Sequence, residues 1–171
     1  MNADRKSERI LEQVKKRREE ARILDVDEER VKLVVFTLLD RHYAFPGAEI
    51  KEILPLAKIA YVPGTPDYIL GIINVRGDIE SVLSGHGALG LPYSEPASGS
   101  RILIAESNGV RSGILVDSIE DVSDFPASSI RPPISILDSS IRDYVTGETS
   151  YNGKSTTVLS VERILKGVLH Q

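Results

Sequence analysis

Val31–Pro46 reads VKLVVFTLLDRHYAFP and Ile102–Val116 reads ILIAESNGVRSGILV, two stretches of one design whose reading decides the fold. Each has two β-rich runs joined by a short polar turn. The first turns around Asp40 and Arg41, the second at Asn108 and Gly109, the dipeptide that best tolerates positive φ in a two-residue turn. Both predict β-hairpins. A further hairpin follows each: GIINVRGDIESVL, from Gly71 to Leu83, turns near Gly77, and DYVTGETSYNGKSTTVLSV, from Asp143 to Val161, turns at Asn152 and Gly153. Between the hairpins of each half come another strand and a proline-containing loop, with Pro63 and Pro66 in one half and Pro126, Pro132 and Pro133 in the other. The two halves thus repeat one order of elements at an offset of roughly 70 residues. Two five-stranded β-barrel subdomains side by side account for the repeat, because closure leaves few free strand edges. The expected fold is mainly β, with short helical patches at Thr65–Leu70 and Val161–Leu169.

Residues 1–29 have a different texture. From Ser7 to Leu24 the run SERILEQVKKRREEARIL lacks Gly and Pro and carries apolar residues at Ile10, Leu11, Val14 and Ala21, spaced for one helical face. Ser7 is placed to cap it. Opposite charges such as Glu12 and Lys16 lie four apart and support a solvated helix. The organisation expected is therefore a charged helical extension over 1–29 and a two-barrel unit over 30–170, divided near 92–100, where Pro92–Gly99 is rich in Pro, Ser and Gly.

Composition excludes several functions. A chain of 171 residues, 41% apolar, buries one sizeable core or two small ones sharing an interface. A net charge of −4 offers no general attraction to phosphate backbones or anionic lipid, so neither nucleic acid nor direct membrane insertion is expected. No cysteine is available for a disulfide or a thiolate metal site. The polar start at Met1, Asp4, Arg5 and Lys6 and the lack of a long apolar stretch predict a soluble, cytoplasmic protein.

The motifs of catalysis fail one by one. Gly147 and Gly153, with Lys154 and Ser155 behind them, resemble a phosphate-binding loop, but five residues separate the glycines where four are needed, and a strand-like TTVLSV follows instead of a helix. His42, His86 and His170 lie far apart, which gives no metal-ligand spacing. SVLSGHG, from Ser81 to Gly87, sets serines near His86 but lacks the GxSxG elbow. Asp117, Glu120, Asp121 and Asp124 alternate with Ile119, Val122 and Phe125, as on a strand with one wet face. No catalytic residue, metal or cofactor is expected.

What remains are non-catalytic signatures. VPGTPDYILGIINVRG, from Val62 to Gly77, resembles the proline loop, short helix and "G-x-x-N-L-R-G" strand of the CheW family, with Val75 in place of Leu. GILVDSIEDV, from Gly113 to Val122, resembles that family's "G-x-x-V-D-x-V-x-x-V" pair, and SSIRPP, from Ser128 to Pro133, its "I-x-P-P" loop. YVTGE and VLSVERIL resemble its closing strand and helix, so the likeness runs in order from Val31 to Leu165. It implies a scaffold without enzymatic activity, working in chemotaxis signal transduction and two-component signalling. The implied partners are the cytoplasmic tip of a methyl-accepting chemoreceptor, lying in the groove between barrels, and the CheW-like regulatory domain of the histidine kinase CheA. Position by position, the resemblance places the contact and packing region on Ile50, Gly71, Asn74, Arg76, Gly77 and Val116, with Glu52 on the preceding strand where it can pair with Arg76. It implies an apolar receptor seat at Ile50 and Val116.

The chain also departs from the pattern. Where the strand after the "NLRG" motif usually reads apolar, Pro, Val, apolar, Asp, Leu, this chain has Glu80, Ser81, Val82, Leu83, Ser84 and Gly85, and Ser160 stands where Asp or Asn is common. These changes leave open whether the first-barrel contact with the kinase is kept or retuned. The alternatives are a related regulatory module that binds a kinase without a chemoreceptor and, from another class, a small serine hydrolase using Ser84 and His86.

Overall fold

The computed structural model describes residues 2–134 and 139–169. The chain divides between Arg30 and Val31 into two units. The first is a single helix, α1 (Asn2–Asp27). It starts upstream of Ser7, which therefore lies inside the helix rather than capping it: no helix breaker precedes Ser7, so nothing stops propagation toward the N-terminus. Ile10, Leu11 and Val14 are exposed.

The rest of the described chain holds β1 (Arg30–Leu38), β2 (Arg41–Pro46), β3 (Ile50–Pro55), β4 (Ile69–Val75), β5 (Asp78–Ser84), β6 (Arg101–Ser107), β7 (Val110–Val116), β8 (Ser118–Pro126), β9 (Val145–Tyr151) and β10 (Lys154–Leu159), with α2 (Gly85–Ala88), α3 (Ser139–Arg142) and α4 (Val161–Leu169). The strands form two five-stranded sheets, ordered β8-β1-β2-β10-β9 and β3-β6-β7-β5-β4. Exchanging every strand with the one five places away in the chain converts one order into the other, so the repeat is real but the strands do not sort by halves. Each sheet takes the leading hairpin of one half and the last three strands of the other, through parallel pairing of Val158 with Ala44 and of Leu83 with Ile114. The loop near 92–100 accordingly joins elements of a single sheet and does not separate the two.

Neither sheet closes into the barrel expected. Each curls until the chain just past one edge strand meets the opposite edge strand in a single bridge, Ala60 with Ile72 and Arg131 with Glu148, each a reciprocal pair of hydrogen bonds of 2.8–2.9 Å. Pairing stops there because Pro63 follows Ala60 at a short distance, and Pro132 and Pro133 follow Arg131 directly, without the N–H that a ladder needs. The proline loops that mark the repeat in the sequence are these seams.

The curling creates three apolar cores. The largest lies between the sheets and includes Phe36, Tyr43, Phe45, Leu83, Leu103, Ile114, Leu159 and the buried face of α4. A second fills the inside of the β3–β7 sheet with Ile73, Val75, Val82, Ile102, Ile104 and Leu115, and a third fills the other sheet with Leu33, Val35, Ala44, Phe125 and Val158. Both faces of β1 and β6 are thus covered, which is why Leu33–Phe36 and Ile102–Ala105 run apolar without alternation.

All four hairpins turn on two residues of positive φ: Leu39 and Asp40, Arg76 and Gly77, Asn108 and Gly109, Asn152 and Gly153. The first turn lies one residue earlier than the sequence suggests. The patch Thr65–Leu70 is not helical. Gly64 has φ +81°, the Ile69 N–H bonds to the Pro66 carbonyl, and β4 begins at once. The helix at Val161–Leu169 is present, and the departing Ser160 caps it by accepting the Arg163 N–H.

Candidate interaction surface

The β4–β5 turn organises the residues singled out from the sequence. Arg76 is not a strand arginine but the first residue of the two-residue turn, at φ +52°, followed by Gly77 at +90°. The Asn74 Oδ1 accepts the Gly77 N–H at 2.8 Å and fixes the turn. From this tip the Arg76 guanidinium donates to the Glu52 carboxylate on β3, with the two side chains 72% and 25% exposed. Since β3 and β4 are opposite edges of the sheet, the pair spans its seam. Gly71 lies further along the same seam, against the Ala60 carbonyl.

Ile50 and Val116 belong elsewhere. Val116 is fully buried in the core between the sheets, and Ile50 is partly buried against the same core. A surface seat built on Val116 is therefore corrected: apolar packing of the sheets has already filled that space.

A second ion pair shares the mouth of the curl with Glu52 and Arg76. Glu80 on β5 lies two residues before Val82, and Arg111 on β7 four before Leu115; both are thus on the inner face that holds the second core. Glu52 is on it too, since it pairs directly with Ile104. The Arg111 Nε donates to the Glu80 Oε1 at 2.6 Å, with side chains 38% and 10% exposed. On the other face Ser81 and Ser112 hydroxyls meet at 2.8 Å. Two of the residues that depart from the family pattern, Glu80 and Ser81, thus have side-chain partners on the neighbouring strand.

The remaining polar residues take structural places. The Ser84 hydroxyl caps α2 by accepting the Gly87 N–H at 3.0 Å, while His86, nearly buried, points its Nε2 at Asp117 Oδ2, also 3.0 Å away. The two are not assembled as a nucleophile and its base. Asp117 is more than a wet-face carboxylate, because the same oxygen accepts the Leu39 N–H at 2.8 Å. Its backbone N–H bonds to the Thr37 carbonyl. Asp117 therefore ties the β1–β2 turn of one sheet to α2 and β7 of the other. Glu49, in the turn between β2 and β3, accepts the Val161 N–H at the start of α4; burial raises its pKa above the usual carboxylate value, against that hydrogen bond and with a further push from Glu162. His42 is half-buried with its ring 6.2 Å from that of Tyr151, and His170 lies outside the described residues. Among the described residues no group of His, Cys, Asp and Glu has metal-binding geometry, and no helix is long and apolar enough to cross a membrane.

Sequence reasoning missed Asp117 as a junction and the Glu80–Arg111 pair. The second had a signal: a charged residue two positions before a buried valine on one strand, with an opposite charge immediately before a buried serine-glycine pair on the next hairpin.

Comparison with known proteins places this arrangement. The family model for the CheW-like domain matches residues 32–168. The chain is 30% identical over 141 residues to the chemotaxis protein CheW of Helicobacter pylori, covering 82% of this chain and 84% of that one. It is 24% identical over 132 residues to the chemotaxis protein CheW of Rhizobium meliloti, covering 77% and 85%. The crystal structure of the scaffolding protein TtCheW from Thermoanaerobacter tengcongensis superposes with a TM-score of 0.68 at 29% identity, over 77% of this chain and 89% of that one.

Proposed function

This chain belongs to the CheW family, and from that premise we propose that it is a non-catalytic chemotaxis adaptor that couples methyl-accepting chemoreceptors to the histidine kinase CheA. The observation that supports this best is the match of the CheW-like domain over residues 32–168, which takes in both sheets and α4. An adaptor works by holding two partners in one geometry, and this fold suits that task. Exchange of hairpins between the halves and a common core of both sheets make a stiff body, so surfaces on different sheets keep a fixed relation. The seam at Gly71, Asn74, Arg76 and Gly77, with Glu52, supplies one contact region. Ile50 and Val116 act from inside, as packing that holds the sheets together.

The partners proposed are the cytoplasmic tip of the receptor and the regulatory domain of the kinase. A pull-down with the full chain from native cytoplasm tests the reading. Kinase and receptor recovered together support it; a kinase without receptor favours the regulatory module, and neither partner rejects both.

A further inference from the structure

The helix α1 sorts its charges along its length. From Arg5 to Arg18 seven basic residues stand against two acidic ones, a net of +5, and from Glu19 to Glu29 six acidic residues stand against one basic, a net of −5. The two stretches cancel. At the end of an isolated helix this order is unfavourable, because the macrodipole favours bases near the C-terminus, whereas the last turn of α1 contains Asp25 and Asp27 and no basic residue. No cation from Arg5 to Arg18 is engaged in an ion pair among the described residues. These charges are free to meet a partner.

The same helix carries an apolar seam. Read in heptads, Ile10, Val14, Ala21 and Leu24 take the a and d positions, with Ser7 and Arg17 as polar interruptions. Ile10 and Val14 are 56% and 44% exposed, so the described part of the seam is open. Its natural complement is another copy of itself, run in the opposite direction. Parallel pairing lays basic half on basic half and acidic on acidic, and sets Glu20 at a g position against Asp25 at the following e. Antiparallel pairing lays each basic half on an acidic one, opposes the two macrodipoles and brings Lys6 to Asp27 along the row of g positions. Its cost is Asp4 opposite Asp25 at the outer end of the e row.

We propose that α1 docks on the α1 of a second copy of this chain, antiparallel and in full overlap, with Ile10 of one copy opposite Ala21 of the other and Ser7 opposite Leu24. Two CheW-like domains are thereby tethered, which raises the effective concentration of the second wherever the first is bound.

Sedimentation equilibrium of the full chain tests this with three altered forms. The first carries Lys6→Glu, Lys15→Glu, Lys16→Glu and Arg18→Glu; the second carries Glu19→Lys, Glu20→Lys, Asp25→Lys and Asp27→Lys; the third carries Ile10→Ala with Val14→Ala. Far-ultraviolet circular dichroism checks the helix in each, and the third, built with the best helix former, decides if a charge variant unfolds. The wild type should dimerise, with a dissociation constant that rises about tenfold between about 0.01 and 1 M salt as the Debye length falls from about 30 to about 3 Å. Each altered form alone should associate at least about tenfold more weakly, and the first two mixed in equal amounts should recover the dimer. Since the chain has no cysteine, orientation is read by oxidation: Ser7→Cys mixed with Leu24→Cys should cross-link, and Ser7→Cys alone should not. A wild type that stays monomeric up to about 1 mM overturns the inference, and binding to anionic vesicles in that case assigns the face to lipid. Dimers that all three altered forms leave within about twofold of wild-type affinity overturn it as well, as does a Ser7→Cys chain that cross-links to itself. None of these outcomes bears on the coupling reading, which the pull-down tests separately.

Discussion

Gly71 and the carbonyl of Ala60 meet where the two edges of one sheet come together, so closely that a Cβ at position 71 would collide with that carbonyl. Gly71 also has φ +145°, a conformation that disfavours L side chains. Gly71→Ala should therefore lose about 3 kcal/mol in urea denaturation, as the seam opens to make room. Gly77, at φ +90° but with open space about it, is the control. Gly77→Ala should cost only about 1 kcal/mol. Equal losses at both positions would mean that the seam yields without strain.

The Glu52–Arg76 pair crosses the same seam but is mostly wet at its arginine. Such pairs contribute little to folding, and the coupling in a double-mutant cycle of Glu52→Ala and Arg76→Ala should be below about 1 kcal/mol. The melting temperature of either single variant should barely move. A coupling of several kcal/mol would mark the pair as a structural brace.

Much of this architecture was legible in the sequence, and the missing part has a definite cause. Turn dipeptides such as Asn108–Gly109 and Asn152–Gly153 are local signals, and each is a turn in the structure. The repeat likewise shows the two sheets to be equivalent. Which hairpin joins which sheet depends on parallel pairing between residues more than 30 and more than 110 positions apart, as in Leu83 with Ile114 and Val158 with Ala44, and alternation cannot encode that choice. The resemblance led to Glu52 with Arg76 and to Gly71, whose geometry is local to one seam. It did not reveal that Val116 is fully interior, since a buried valine and one in an apolar groove read alike.

Asp117 holds His86 and the Leu39 N–H with one carboxylate oxygen, at the place where the chain passes between the sheets. Asp117→Ala should destabilise by about 1–3 kcal/mol because it leaves a nearly buried imidazole and a backbone donor without their acceptor. Asp117→Asn keeps an acceptor and should recover part of the loss. Chemical denaturation of the two variants checks the order. If Asn is no better than Ala, hydrogen bonding is not what the site contributes.

Glu49 carries a pH signature. Burial raises its folded-state pKa above the ordinary value, so the native state binds the proton more tightly than the unfolded chain. Stability from this group is present in full below the unfolded carboxyl pKa and is lost as pH rises through the raised folded value. Glu49→Gln keeps an acceptor for the Val161 N–H without the charge or the repulsion from Glu162. The variant should melt higher than wild type at neutral pH, and the advantage should vanish on acidification through the carboxyl range. A difference that grows as pH falls would reverse the sign and refute the assignment.

Val116 and Ile50 separate packing from partner contact. Val116 has no exposed surface and sits between the sheets with Leu103, Ile114 and Leu159, whereas Ile50 only leans on that core from the start of β3. A carboxylate at 116 has no water and no partner there, a cost of several kcal/mol against a total stability of about 5–15 kcal/mol. Val116→Asp should fail to give a cooperative unfolding transition, and any loss of binding should follow loss of fold. Ile50→Asp can turn its carboxylate toward solvent, so it should stay folded with a lowered melting temperature. Near- and far-ultraviolet circular dichroism, followed by titration with the receptor-tip fragment, distinguishes the cases. A Val116→Asp protein that folds normally yet loses the receptor would restore the groove seat and contradict the burial seen here. Partial packing leaves Ile50 free to touch a partner as well, and the conservative Ile50→Val, which removes one methylene group, measures that. If position 50 only packs, Ile50→Val should shift stability by about 0.5–1.5 kcal/mol and leave receptor affinity unchanged.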